Sequence, residues 1–318
     1  MSVAHSFNAL AGEQREGCLA HSTADSSARS VAVHRWTDAA GITHYSDQPP
    51  INGAVDHRLI EVQGLPPVVV QASGEDADLP AETQQRAVMD ALGVQRVMRD
   101  VLGVGAPAGV TLRVVLVRSP ETYARLVAEP ALASSAGAYS TATRTIHVRM
   151  QAQEEGTFAV LRHEITHALV HESIGNLPTP INEGLAEYFG RYRVRGFGGE
   201  VDVGADRSAL MRAAPTGNAT DALVDLLARD GAAFYGNASG TSEREQRYLR
   251  AYALVALLMR GAPERAALSA ILQRQRMAPC VPVSTERILD ERYPGGLAAL
   301  TTDWLTFMRN PSDAIRTY

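Results

Sequence analysis

The alternation of apolar and polar positions changes period along the chain, and each change marks an element. Residues 33–50 form two alternating runs around Asp38-Ala39-Ala40-Gly41, a turn ending in glycine, which predicts a β-hairpin. Residues 64–67 and 74–78, rich in Gly, Pro and acidic residues, predict a linker over 61–80 with a short strand at Val68, Val69 and Val70. Residues 110–117 read as a strand and 120–128 as a helix. Gly137-Ala138-Tyr139 and Thr145-Ile146-His147-Val148 read as a second hairpin. The period then becomes helical. Phe158, Leu161, Ile165, Ala168 and Leu169 fall on or near one apolar stripe, with Thr157 as the expected N-cap. Residues 221–228, 243–260, 263–276 and 296–308 carry the same period. The apolar run at 251–259 is far short of a membrane span.

Inside the first helical stretch lies His163-Glu164-Ile165-Thr166-His167, an H-E-x-x-H segment. Residues four apart on a helix lie about 40° apart around its axis, so His163 and His167 share one face. Glu164 lies about 60° from His167, beside that face, where it suits a general base. Asn182-Glu183-Gly184-Leu185-Ala186-Glu187-Tyr188 follows after a turn that carries Gly175, Asn176, Pro178 and Pro180. Helix, turn, helix brings the second segment back beside the first. Glu183 and Glu187 are again four apart and face one way. Glu183 suits a third metal ligand, and Glu187 suits a carboxylate that accepts the N–H of a ligand His. Two His and one Glu with an open position make a zinc site of hydrolase type.

H-E-x-x-H followed by N-E-G-L-A-E-Y resembles the gluzincin metallopeptidases, among them the bacterial peptidase MA-like domains. The resemblance implies zinc on His163, His167 and Glu183, one ion per chain. It implies Glu164 as the catalytic base and Glu187 as a support for the first His. A metzincin would need Gly at 170 and His at 173, where this chain has Val170 and Ser173. The order strand, helix, hairpin, H-E-x-x-H, running over roughly residues 80–309, is similar to the same domains. It implies that the stretch 140–148 is an edge strand on which a peptide substrate aligns. Tyr248 and Tyr252, one turn apart on a long helix, are candidates for oxyanion stabilisation, against a plain core role. His171 continues the stripe of His163 and His167 and is expected to be a solvated or capping residue. Asn182 is expected to cap the second helix or to contact substrate.

The run His34-Arg35-Trp36-Thr37-Asp38 through His44-Tyr45-Ser46-Asp47-Gln48-Pro49-Pro50 resembles a small bacterial domain of unknown function that follows export signals. His34 stands where that pattern has an aromatic residue. The resemblance implies a periplasmic or secreted protein. Residues 1–30 carry no basic start followed by a long apolar core, so no signal peptide is expected in them. Cys18 and Cys280 allow either a disulfide or two free thiols.

The net charge of −5 argues against a nucleic-acid partner, and all 30 basic residues are Arg. The expected fold class is α+β: a gluzincin-like zincin with a small edge-strand sheet, an active-site helix pair and a helical C-terminal half, behind a short β-hairpin module. The expected division is a disordered 1–30, the hairpin module 31–60, the linker 61–80, the metallopeptidase domain 81–310 and a tail 311–318. The expected function is zinc-dependent hydrolysis of a peptide or protein substrate, with no membrane span. The alternative is a zinc-stabilised envelope module that binds without catalysis.

Overall fold

The computed structural model describes residues 30–37, 43–46, 49–50, 55–63, 68–76, 78–106, 110–127, 132–196, 198–204, 206–236, 241–311 and 314–318. The expected turn at 38–41, residues 1–29 of the stretch 1–30 expected to be disordered, and the pairing of Cys18 fall outside these residues; Ser30 itself opens a strand. The described chain is mixed α/β.

At the N-terminus, β1 (Ser30–Thr37) pairs antiparallel with β2 (Thr43–Ser46), and Trp36 lies opposite His44, as the expected hairpin requires. A third strand, β3 (Val55–Gln63), pairs with the other edge of β1. The exposed Val55 and Leu59 on β3 hid it from any simple alternation.

The second sheet orders its strands β4-β5-β7-β6. Here β4 (Val69–Gly74) runs parallel to β5 (Thr111–Val117), which runs parallel to β7 (Thr145–Arg149); β6 (Gly137–Ser140) closes the edge antiparallel to β7. Two expectations change. Part of the expected linker is a six-residue sheet strand, β4. The edge strand is β6; β7, within the stretch expected at the edge, is an inner strand. Between β4 and β5 comes α1 (Ala81–Leu102), whose Ala87, Ala91, Val94, Met98 and Leu102 are buried at helical spacing. It stops at Gly103, whose φ of 71° lets its N–H and that of Val104 reach back to Arg99 and Met98. A short α2 (Pro120–Val127) links β5 to β6.

The two motif segments form α3 (Glu154–Ser173) and α4 (Thr179–Gly190). The apolar stripe of α3 is buried, and so are Arg162, His163, Glu164, Thr166 and His167. The helix is surrounded, so its polar positions face other protein rather than water. Thr157 is not its N-cap: α3 begins earlier, and Thr157 Oγ1 accepts from the Gln151 backbone N–H at 2.8 Å. Asn182 does not cap α4, which begins at Thr179; its buried Oδ1 has no hydrogen-bond partner among the described residues.

Downstream, β8 (Tyr192–Arg195) and β9 (Gly198–Asp202) form a hairpin, followed by α5 (Arg207–Ala213), α6 (Ala219–Ala228) and α7 (Gly231–Tyr235). The chain ends with α8 (Thr241–Leu258), α9 (Ala262–Met277), α10 (Thr285–Arg292), α11 (Gly296–Arg309) and β10 (Ile315–Thr317). The apolar run 251–259 is buried, on and just past the C-terminal half of α8. No described helix is long and apolar enough to cross a membrane. The expected tail is a strand instead: β10 pairs with β9, and the Tyr318 hydroxyl bonds that of Tyr188 on α4. α4 lies close against α8. A Cβ on Gly184 would stand 2.5 Å from the Ala251 carbonyl oxygen, so the glycine after Glu183 is what permits this approach.

Candidate metal centre

The helix geometry of α3 and the return of α4 bring His163, His167 and Glu183 together, all buried. His163 Nε2 lies 3.1 Å from His167 Nε2 and 3.5 Å from Glu183 Oε2, and His167 Nε2 lies 3.5 Å from Glu183 Oε1. Ligands held about 2.0–2.1 Å from a tetrahedral ion stand roughly 3.3 Å from one another. The triangle therefore has the size of a three-ligand face. Glu183 is fully buried, and its Oε2 has no hydrogen-bond partner among the described residues. A buried acceptor without a donor is costly unless a cation satisfies it. The donor set fits a metal ion, and His163, His167 and Glu183 can hold one.

Charge distribution agrees with the geometry. Burial alone would lower the pKa of His163, but its close contacts with the Glu183 and Glu187 carboxylates outweigh it and raise the group to about 10. Burial alone would raise Glu183; the neighbouring His167 and His163 hold it at about 2. The carboxylates of Glu183 and Glu187 beside His163 favour its positively charged form.

Support comes from a chain of contacts running away from the centre. His163 Nδ1 lies 3.3 Å from Glu187 Oε1. Arg191 donates to Glu187 Oε2 at 2.8 Å and pairs with Asp206. The Arg191 guanidinium also lies over the Tyr252 ring, 4.0 Å from its centroid. Glu164 sits beneath the β6 edge: a Cβ on Gly137 would stand 2.9 Å from Glu164 Cγ and 3.0 Å from its Oε1. Only glycine at that strand position leaves the carboxylate its room.

The two expected tyrosines part company. Tyr248 is buried, packs edge-on against Phe234 at 5.3 Å, and is pushed well above its ordinary pKa by burial and by Glu183, Glu187 and Glu164. Tyr252 is not brought to the centre: its hydroxyl donates to the Val203 carbonyl at 3.0 Å. His171 lies in the last turn of α3, partly buried rather than solvated; its Nδ1 lies 3.1 Å from the Tyr139 hydroxyl on β6 and 3.6 Å from Glu172. Sequence reasoning missed Tyr235, whose hydroxyl donates to Glu183 Oε1 at 2.6 Å. It follows Phe234 on a five-residue helix with no periodic signal of its own. Arg247 fixes that helix by donating to the Ala233, Phe234 and Gly236 carbonyls, each at 2.9 Å.

No curated protein and no solved structure matches the chain. Residues 26–86 match the family described as a domain of unknown function, DUF4124, a span that contains β1 to β4 and the first residues of α1.

Proposed function

We propose that this chain is a zinc-dependent peptidase of gluzincin type. The observation that carries the proposal is the buried triangle of His163, His167 and Glu183 with the Glu164 carboxylate beside it, under the edge of a sheet. When bound, zinc supplies a positive charge that acidifies water and polarises a carbonyl. The rest is the work of the chain's own residues. His163, His167 and Glu183 hold the ion, and Glu187, fixed by Arg191, orients the His163 ring. Glu164 takes a proton from the attacking water and returns it to the leaving amine nitrogen. The outer edge of β6 offers backbone groups to an extended peptide. Of the two tyrosines first considered, Tyr248 is the one whose pKa burial and the charges of Glu183, Glu187 and Glu164 raise, which supports it as a protonated hydroxyl that donates to a developing oxyanion. Location in a bacterial envelope or outside the cell belongs to the same proposal and rests on the N-terminal resemblance.

Metal analysis of purified protein, paired with a broad peptide-library digest, tests the reading. About one zinc per chain, lost in Glu183→Ala, together with peptide cleavage is the expected result. Full metal retention in Glu183→Ala would remove Glu183 from the ligand set. A zinc-loaded chain that cleaves no peptide would favour the non-catalytic envelope module.

A further inference from the structure

A groove of about 500 Å³ runs between α9 and α10, and Arg274, Met277, Val281, Pro282, Ile288 and Arg292 contribute to its lining. Met277 is 79% exposed and Val281 58%, and no other described large apolar residue is as exposed as Met277. Two bare apolar side chains at one opening mark a surface that gains by being covered. Arg287 pairs with Glu291 on the same wall, whereas Arg274 and Arg292 form no ion pair among the described residues.

Cys280 stands on the turn between the two helices, between two residues of the groove lining, Ala278 and Val281. The turn is held firmly. The buried Gln275 donates its side-chain amide to the Ala278, Pro279 and Val281 carbonyls at 3.2, 3.0 and 3.3 Å, and the Val281 N–H reaches the Ala278 carbonyl at 3.0 Å. Cys280 is exposed on this turn, yet it is half of a disulfide and not a free thiol. The sequence holds one other cysteine, Cys18.

We propose that the segment around Cys18 seats in this groove, with Cys18 as the disulfide partner of Cys280. The chemistry of that segment suits the groove. Leu19 and Ala20 follow the cysteine and offer apolar surface to Met277 and Val281. Glu13 and Glu16 precede it and offer carboxylates to the forks of Arg274 and Arg292. Residues 19–29 separate Cys18 from the start of β1, a reach of up to roughly 40 Å. The bond forms by exchange with a disulfide-bearing oxidant. One protein thiolate attacks the oxidant's disulfide, forms a mixed disulfide and releases one thiol. The other protein thiolate attacks the protein sulfur of that mixed disulfide, forms the Cys18–Cys280 bond and releases the second thiol. The protons lost by the two cysteines end on the two released thiols, and the oxidant takes both electrons. A lasting disulfide belongs to an oxidising compartment, in keeping with the location proposed above.

Tryptic mapping of the full chain, equilibrated with oxidised glutathione and alkylated while unfolded, reads the bond. Peptides 16–29 and 277–287 should appear joined and should separate on reduction. A series of glutathione redox buffers reads the docking, through the effective concentration of one thiol at the other. A flexible tether alone gives roughly millimolar values. Met277→Ser/Val281→Ser should lower the wild-type value at least tenfold, whereas Met211→Ser, at an exposed methionine on α5, should leave it unchanged. Should the double variant not fold, Val281→Ser alone carries the comparison, with a loss of threefold or more expected. Alkylated Cys18 and Cys280 in the oxidised buffer, Cys280 joined to the Cys280 of a second chain, or a wild-type effective concentration in the groove variants would overturn the proposal.

Discussion

The Tyr235 hydroxyl donates to Glu183 Oε1 at 2.6 Å, joining residues 52 apart in the chain across the edge of the metal centre. The bond fixes the one carboxylate that α4 contributes to the candidate metal site. Partners of metal ligands typically govern affinity by about 10–100-fold. Tyr235→Phe should therefore weaken zinc binding by roughly tenfold while leaving the fold intact, measured by competition with a chelator of known affinity. Tyr252→Phe, whose hydroxyl serves Val203, should leave zinc affinity unchanged. Equal losses in the two variants would show that general packing, not the bond to Glu183, is being read.

Glu164→Gln separates catalysis from metal binding. Gln is close in shape and can still hydrogen-bond water, but it cannot accept the proton. Peptide hydrolysis should fall by about 10²–10⁴-fold with zinc content preserved. Wild-type turnover by metal-replete Gln variant would exclude Glu164 as the base.

Metal loading should displace protons. In the metal-free arrangement His163 titrates at about 10, above its ordinary value, so it is protonated at neutral pH. Glu183, at about 2, is already ionised there and releases nothing. Zinc uptake near pH 7 should therefore release about one proton, and affinity should rise roughly tenfold per pH unit towards pH 10 as the competing proton is lost. Calorimetry in buffers of different ionisation enthalpy measures the count. Proton uptake on binding, or none, contradicts the buried His163 charge.

The N-terminal sheet should be dispensable, but β4 should not. β4 pairs with β5 along its whole length, from Val69 opposite Thr111 to Gly74 opposite Leu116. A chain beginning at Pro67 should fold and load zinc like the full chain. One beginning at Asp78 strips β5 of one of its two partners, leaving only β7 beside buried Leu112, Val114 and Leu116, and should melt several degrees lower. Equal melting temperatures for the two truncations would show that β4 adds nothing to the sheet.

The grouping of His163, His167 and Glu183 was legible in the sequence because its geometry is local. A helix places residues four apart on one face whatever surrounds it, so His163 with His167 and Glu183 with Glu187 were paired before any fold was known. Four helices of the C-terminal half, α6, α8, α9 and α11, were legible for the same reason, within a few residues at their ends, whereas the shorter α5, α7 and α10 were not. The alternating run at 110–117 likewise marked β5. What lay beyond the sequence depends on which distant segments meet. Tyr248 and Tyr252 share a helix face, yet one stands among the site's carboxylates and the other serves Val203 and Arg191, because different neighbours cross α8 at successive turns. Tyr235 comes from a helix too short to carry a period, and β10 from three residues whose only signal is the unpaired edge of β9. The choice of β6 over β7 as the sheet edge rests on pairing between strands, which no single stretch of residues encodes. Periodicity assigns faces; only the packing of the whole chain decides what each face meets.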